Sequence, residues 1–167
     1  MKEIFVKGHT ISLYNVPPTV IIDCIHNDEH LIKWASTHVE TVYDSDIKDE
    51  PIRTGLKYIS RQKVGKKIKD IPCEITEYVE NKLVNVKSIT KEGISYSRYT
   101  IEEKEGETLL TLEGSYIPRN WFQAIKLRIL VPFANLVLKD ELERLENYIY
   151  EYTYHDDDSE EDEKDNQ

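Results

Sequence analysis

Tyrosine and arginine side chains on the predicted strands are the groups of this sequence best suited to hold a ligand. Side chains alternate between the two faces of a strand, so Tyr96 and Arg98 share one face while Tyr99 lies on the other. Tyr58 and Tyr116 lie on other predicted strands. Inward tyrosines would line a pocket with apolar rings and polar hydroxyls, and an inward arginine would suit an anionic ligand group. Tyrosine is also a common strand residue, and an arginine can simply face solvent. A ligand pocket and an ordinary structural role for these residues therefore both stay open.

Three histidines lie close together along the chain. His26 and His30 are four positions apart and His38 follows. On one continuous helix the first two would share a face and could bind a metal ion. Asn27-Asp28 is expected to break the helix between them, and no cysteine or acid at a suitable spacing completes a ligand set. We therefore predict no metal site and no cofactor.

Candidate catalytic groups are few. Glu74 and Glu113 lie within predicted strands, and burial would raise the pKa of either carboxyl group enough for acid–base chemistry. Glu74 flanks Cys73 and Ile75, which alternate with it, so we expect it to face solvent. The sequence contains no G-x-S-x-G, no glycine-rich phosphate loop and no H-E-x-x-H. The catalytic residues, if the protein has any, stay unassigned.

Two segments concentrate the charge. Residues 57–69 carry six positive charges and no acid, which indicates either a solvated hairpin or a surface for an anionic membrane or for the chain's own acidic end. Residues 156–167 hold eight acids and one lysine, a net −7 of the chain's −10. We predict an acidic disordered tail over 154–167, acting as a solubilising end or a docking peptide for a basic partner. The overall acidity argues against nucleic acid as a partner.

The length of 167 residues suits one domain, predicted over residues 1–153. The N-terminal segment alternates apolar and polar residues and lacks the apolar block of a signal peptide, which predicts a cytoplasmic protein. No uninterrupted apolar run reaches about 18 residues, so no integral membrane segment is predicted. Cys24 and Cys73 are not spaced as a metal or redox pair and are expected to be buried thiols.

Hydrophobic periodicity predicts one strand, two short helices, a six-strand meander and a long terminal helix. The first strand is interrupted at Gly8, which favours a bulge there. Asn15 is expected to cap the first helix and Asp28 the second. The meander begins near Val39. Its later strands are predicted at Gly55–Lys63, Ile71–Val79, Leu83–Ile89, Ile94–Glu103 and Thr108–Ile117.

The last helix carries a continuous apolar stripe from Leu127 to Tyr152, with Pro132 expected to kink it or to mark a restart. Its first part, Trp121 to Leu138, is apolar on most sides. Such a segment is either buried on all sides or in contact with another molecule. It could therefore be a ligand portal, a homodimer face or a transient membrane contact.

Several short motifs, weak singly, resemble in their order and spacing the SRPBCC or START-like helix-grip superfamily. Within it they are most similar to the polyketide cyclase/dehydrase-like and coenzyme Q-binding families. They are Asn15-Val16-Pro17-Pro18-Thr19-Val20, His26-Asn27-Asp28-Glu29, Trp34, Gly55-Leu56-Lys57-Tyr58, Glu74-Ile75-Thr76-Glu77-Tyr78 and Leu142-Glu143-Arg144-Leu145. One departure follows Trp34, where the family often has proline and this chain has Ala35-Ser36-Thr37-His38. The resemblance implies an α+β helix-grip fold, in which a curved antiparallel sheet of about seven strands wraps round the C-terminal helix and leaves a pocket.

On this basis we predict binding of a small hydrophobic or amphipathic ligand, such as a lipid, a quinone or a polyketide-like aromatic compound. One alternative is a cyclase or dehydratase acting on such a ligand, and another is an adaptor that uses the acidic tail. The predicted ligand-binding residues are Trp34, Tyr58, Tyr96, Arg98, Tyr116, Phe122, Ile129 and Phe133.

Overall fold

A computed structural model describes residues 2–47 and 50–162, with side chains described as far as Tyr154. Seven strands form one antiparallel sheet in the order β1-β7-β6-β5-β4-β3-β2. Two short helices follow the first strand and one long helix ends the described chain, as the sequence predicts. The elements are β1 (Ile4–Tyr14), α1 (Pro18–His26), α2 (Asp28–Trp34), β2 (His38–Val42), β3 (Lys57–Val64), β4 (Lys67–Val79), β5 (Leu83–Ile89), β6 (Gly93–Lys104), β7 (Glu107–Pro118) and α3 (Trp121–Asp162).

The strands β2 to β7 form a meander of neighbours, and β1 closes the order by pairing with β7. The register of β1 shifts between Val6 and His9, which confirms the bulge expected at Gly8. The strand β4 begins at Lys67, earlier than the predicted Ile71, because polar residues of the hairpin pair in register with β3 (Lys67 opposite Val64). Backbone pairing thus extends the hairpin beyond its apolar pattern.

The two short helices are capped differently from the prediction. Asn15 has a φ of +56° and does not cap α1, whose N-cap is Pro17 without a side-chain hydrogen bond. The cap of α2 is Asn27, whose Oδ1 accepts a hydrogen bond from the Glu29 amide at 3.1 Å. Asp28 instead accepts hydrogen bonds from the Thr41 amide at 3.0 Å and from the His38 imidazole. Its carboxylate therefore joins α2 to β2.

The core lies between one face of the sheet and the second half of α3. Leu142, Leu145 and Ile149 of α3 are almost fully buried. They belong to one apolar cluster with Leu13 of β1 and Leu110 of β7. Ile21, Cys24 and Trp34 of the short helices complete the cluster. These contacts hold α3 across the sheet.

The first half of α3 is packed much less. Gly114 of β7 faces α3 so closely that a Cβ at this position would lie 3.2 Å from Cδ1 of Leu138. Before Leu138, apolar side chains such as Phe122 and Phe133 are more than 60 % exposed. The helix continues without a restart through Pro132. The sequence predicts that this segment is either buried on all sides or in contact with another molecule. In the described chain its apolar side chains are exposed.

By length and composition alone, one helix of the described residues could cross a membrane, over Trp121–Tyr154. Lys126 and Arg128 interrupt its apolar stretch, so a search for unbroken apolar runs does not find it. The same helix supplies Leu142, Leu145 and Ile149 to the core. Length and composition alone therefore do not test the prediction that the chain has no integral membrane segment.

The predicted tail overlaps the end of α3, whose backbone is helical as far as Asp162. Residues 163–167 lie outside the described residues. The disorder predicted over 154–167, and any partner of the acidic run, stay predictions.

The core packing predicts a large difference between two leucines of α3. Leu145→Ala removes a fully buried side chain and should lower the free energy of unfolding by about 3 kcal/mol. Leu136→Ala changes a side chain that is 65 % exposed and should stay within about 0.5 kcal/mol of the parent. Urea denaturation followed by circular dichroism measures both, and equal losses would contradict the described packing.

Candidate functional site

The space between the sheet and the three helices forms a cavity of about 210 Å³, which we call the central cavity. Residues from α1, α2 and α3 form one wall, and strands β2 to β6 form the other. The lining residues are Ile25, Leu31, Trp34, Ala35, Thr37, His38, Thr41, Tyr58, Ser60, Gln62, Cys73, Val86, Ser88, Ser97, Tyr99 and Glu141. The two walls differ in chemistry.

The helix wall is mainly apolar. Ile25, Leu31 and Trp34 face the cavity. The Trp34 ring is held in place because its Nε1 donates a hydrogen bond to the Cys24 carbonyl at 2.8 Å. A buried indole N–H needs such a partner, so this bond fixes the ring as a flat apolar surface.

The sheet wall is polar because the pairing register places hydroxyl groups on its inner face. Ser60 lies opposite Thr41, and Ser88 lies opposite Cys73. The Gln62 amide donates to the Ser60 hydroxyl at 3.0 Å, and the Cys73 thiol lies 3.3 Å from the Ser88 hydroxyl. Much of this wall is therefore hydrogen-bonded within the protein.

Tyr58 and Tyr99 are different, because within the described chain neither phenol hydroxyl has a hydrogen-bond partner. Burial raises the pKa of Tyr99 to about 12, with a smaller contribution from the Glu141 carboxylate. Burial also raises the pKa of Tyr58 far above its usual range, and Cys73 adds to the shift. Both phenols therefore stay protonated near neutral pH and can donate hydrogen bonds to a ligand.

Two further ionisable side chains reach the central cavity, and both have partners. Glu141 of α3 accepts hydrogen bonds from the Ser36 hydroxyl and from the Ser36 amide at 3.3 Å. His38 pairs with Asp28 and its side chain is only 7 % exposed. The cavity thus combines two unpaired phenol donors with a carboxylate and an imidazole that are already engaged.

The structure places six of the eight predicted ligand-binding residues in three regions. Trp34 and Tyr58 line the central cavity. Tyr116 and Phe133 line a second, apolar groove of about 350 Å³ between β7 and α3. Phe122 and Ile129 lie on the surface of α3, 63 % and 67 % exposed. Each stays a prediction as a ligand contact.

Tyr96 and Arg98 lie on the outer face of the sheet, opposite the central cavity. They line a shallow depression of about 560 Å³ together with Glu113. The Arg98 guanidinium donates to the Glu77 carboxylate at 2.9 Å and its side chain is 41 % exposed. Neither Tyr96 nor Arg98 can therefore contact a ligand in the central cavity.

Glu74 and His30, which the sequence analysis also considered, have local partners. Glu74 lies 4.0 Å from the Lys87 ammonium on the outer face, as expected for a solvent-facing residue. The ring nitrogens of buried His30 lie 2.7 Å from the Tyr148 hydroxyl and 2.9 Å from the Asp23 carboxylate. Among the side chains that the structure describes, residues 2–47 and 50–154, no three metal-ligating groups come together.

Sequence reasoning missed most of the polar wall. From the sequence, Tyr99 is identified only as lying on the strand face opposite Tyr96. Ser60, Gln62 and Glu141 are not identified as site residues. The available signal was the alternation along β3, where Tyr58, Ser60 and Gln62 occupy every second position. The sequence does not state which of the two faces is the inner one.

A seven-stranded antiparallel sheet closed by a long C-terminal helix, with two short helices after the first strand, is the helix-grip fold. The chain belongs to a family described as Domain of unknown function (DUF3284), whose model matches residues 29–135, more than half of the sequence. These residues include α2, the strands β2 to β7 and the first part of α3. Among curated proteins, no sequence matches the chain significantly.

Solved structures support the fold at low sequence identity. A protein of unknown function from Staphylococcus aureus is 16 % identical, with a TM-score of 0.61 over 92 % of this chain and 98 % of its own. DynU16, from the dynemicin biosynthetic locus, is 14 % identical, with a TM-score of 0.61 over 87 % of this chain and 47 % of its own. Ara h 8.0201 is 12 % identical, with a TM-score of 0.57 over 87 % of this chain and 99 % of its own. The cytoplasmic location stays a prediction.

Burial of both cysteines predicts low thiol reactivity in the native protein. Burial, followed by the charge of Asp23, raises the pKa of Cys24 to about 12, and burial also raises the pKa of Cys73. At about pH 8, Ellman's reagent should react at least about tenfold more slowly with the folded than with the unfolded chain. A thiol of the folded chain that reacts as fast as in urea would contradict the described burial, and Cys24→Ala would show which one it is.

Proposed function

We propose that the protein binds a small, neutral, amphipathic molecule in the central cavity. The observation that carries this proposal is the pair of unpaired phenol donors, Tyr58 and Tyr99, opposite the apolar wall formed by Trp34 and its neighbours. Apolar lining with a few convergent polar groups is the usual composition of a ligand pocket. Such a pocket would orient a ligand with its apolar part towards the helices and its polar part towards the sheet.

The size of the cavity favours a single ring over a long chain. A dry engineered cavity of about 150 Å³ holds benzene. The central cavity, at about 210 Å³, has room for one aromatic ring with a short substituent. Of the ligand classes predicted from the sequence, a quinone-like or polyketide-like aromatic head group fits this volume best.

Charge favours a hydrogen-bond acceptor without a formal negative charge. The carboxylate of Glu141 acts electrostatically on Tyr99, and the same field would repel an anionic ligand. A carbonyl or ether oxygen can accept hydrogen bonds from the two phenols without that cost. A ligand carbonyl is therefore the group that we place next to Tyr58 and Tyr99.

The comparisons support the same class of ligand. The motifs resemble polyketide cyclase-like and coenzyme Q-binding families, and DynU16 comes from a biosynthetic locus, that of dynemicin. These likenesses are too distant to name a compound. They favour an aromatic or quinone-like molecule over other small ligands.

The enzymatic alternative needs a carboxylate and a tyrosine beside each other in the cavity. Glu141 and Tyr99 are the pair of described residues that meets this condition. Because the Glu141 carboxylate is engaged by Ser36, we favour binding over proton transfer. Consumption of a bound carbonyl compound by the full chain, lost in Glu141→Gln, would instead establish the enzyme.

The proposal is tested with three probes of similar size in ligand-observed NMR. Acetophenone carries a ring and a carbonyl acceptor, toluene lacks the acceptor, and benzoate adds a charge. We expect acetophenone to bind most tightly, because only it satisfies both walls without a charge. Tightest binding of benzoate, or no binding of any of the three, would refute the proposal.

Two tyrosines on one strand provide a matched pair of variants. Tyr99→Phe removes the inner hydroxyl and should weaken acetophenone binding about fivefold to tenfold, the loss of one hydrogen bond of about 1 kcal/mol. Tyr96→Phe removes a hydroxyl from the outer face and should leave the affinity unchanged. Equal effects of the two variants would place the ligand outside the central cavity.

A further inference from the structure

An unpartnered apolar surface covers the outer side of α3 over its first half. Six of its side chains are 49 % to 70 % exposed, and they repeat at helical spacing. They are Trp121, Phe122, Ile125, Ile129, Phe133 and Leu136. We call these residues the α3 face. Exposed apolar patches of this kind mark sites that contact a protein or a membrane.

Basic residues lie at the end of the sheet where α3 begins. The register places the β3–β4 hairpin, the β5–β6 turn and the end of β7 at this same end of the sheet. Glu92, in the β5–β6 turn, has a pKa lowered by hydrogen bonds to its own backbone and to Thr90, with smaller effects from Lys69 and Lys126. Lys69 of the hairpin and Lys126 of α3 therefore both lie within electrostatic reach of Glu92 in this turn.

Most of these cations are unpaired among the described residues. Lys63, Lys66, Lys67 and Lys69 of the hairpin are exposed and form no ion pair within the described part of the chain, whereas Arg61 is bound by Glu40 and Asp70. Residues 114–138 contain no acid. Apart from Glu92, which acts on Lys69 and Lys126, this end of the sheet thus presents exposed positive charge to an external anionic surface.

We propose that the α3 face and the β3–β4 hairpin together dock the protein on an anionic lipid bilayer. Exposed Trp121 and Phe122 would enter the boundary between head groups and acyl chains, while the hairpin lysines contact the head groups. A helix with aromatic and aliphatic residues on one side and basic groups beside it is suited to lie in this boundary. The surface is separate from the central cavity, so docking does not depend on the proposed ligand.

The charge distribution favours a lipid surface over a second copy of the chain. A two-fold contact through the α3 face would bring Lys126 and Arg128 of both copies to one interface, where residues 114–138 supply no carboxylate and Glu92, which acts on Lys126, also acts on Lys69. An anionic bilayer supplies the missing counter-charges. Peripheral docking also keeps Leu138 against Gly114, which a membrane-spanning position of the helix would separate.

The same distribution of charge would orient the protein relative to the membrane. The helix α3 runs from the cationic end to the opposite end, where the Tyr150 hydroxyl accepts a hydrogen bond from the Tyr14 amide at 3.1 Å. The acidic run 156–167 follows that opposite end in sequence. A molecule with opposite charges at its two ends approaches a negative surface with its positive end first.

Vesicle flotation with the full chain tests the docking. Vesicles of phosphatidylcholine alone are compared with vesicles that contain roughly 30 % phosphatidylglycerol. We expect the anionic vesicles to bind at least about tenfold more tightly, and about 0.5 M salt to remove most of that gain. Trp121 fluorescence should shift to shorter wavelength on binding, and Trp121→Phe should bind without that shift. Equal binding to both kinds of vesicle, or none to either, would overturn the proposal.

Matched variants separate the two parts of the surface. Phe122→Ser with Ile129→Ser should abolish flotation, whereas Ile32→Ser, at a side chain 55 % exposed on α2, should not change it. Lys66→Glu with Lys67→Glu should remove the preference for anionic vesicles. Lys82→Glu with Lys104→Glu, at the opposite end of the sheet, should keep it.

Sedimentation of the same variants distinguishes membrane docking from contact between two copies of the chain. If the parent sediments as a dimer and Phe122→Ser with Ile129→Ser makes it a monomer, the α3 face is a contact between copies and the lipid proposal fails. A monomeric parent whose α3 variants stay folded by circular dichroism but no longer float would support the proposal.

Discussion

The packing of the second half of α3 across the sheet is the interaction on which the rest of the structure depends. Leu142, Leu145 and Ile149 connect the helix with β1 and β7 at one side of the sheet. Because α1, α2 and α3 all pack on the same face of the sheet, a space remains between them and the strands. The central cavity is that space, and its wall composition follows from which strand faces turn inward.

The cavity therefore inherits its chemistry from two different sources. The helices contribute apolar side chains because those residues also belong to the core cluster. The strands contribute hydroxyl and amide groups, which are tolerated in the interior because they bond to one another. Tyr58 and Tyr99 are the exception, since their hydroxyl groups lack partners within the described chain. An interior polar group without a partner is costly unless water or a ligand satisfies it.

Much of the fold could be predicted from the sequence, and less of the site. Alternation in the strands and the stripe on the last helix are local patterns, so the element order and the bulge at Gly8 were accessible. The caps were not, because Asn15, Asn27 and Asp28 are all suitable capping residues and only the geometry selects among them. The sheet's inner face was ambiguous for a related reason. In β6, Tyr96 and Tyr99 have the same chemistry, and only the position of α3 decides which of them is inside.

The two halves of α3 differ in a way that concerns how this chain can change. After Leu138, the buried side chains Leu142, Leu145 and Ile149 are fixed by their neighbours in the core, so a substitution at these positions is limited by volume and polarity. Side chains before Leu138 on the outer surface have almost no neighbours to satisfy, and folding places little restriction on them. Packing within the described chain therefore does not account for their being tryptophan, phenylalanine and isoleucine. The two halves of one helix are thus under different constraints, the second half from the packing of the core and the first half only from what lies outside the fold.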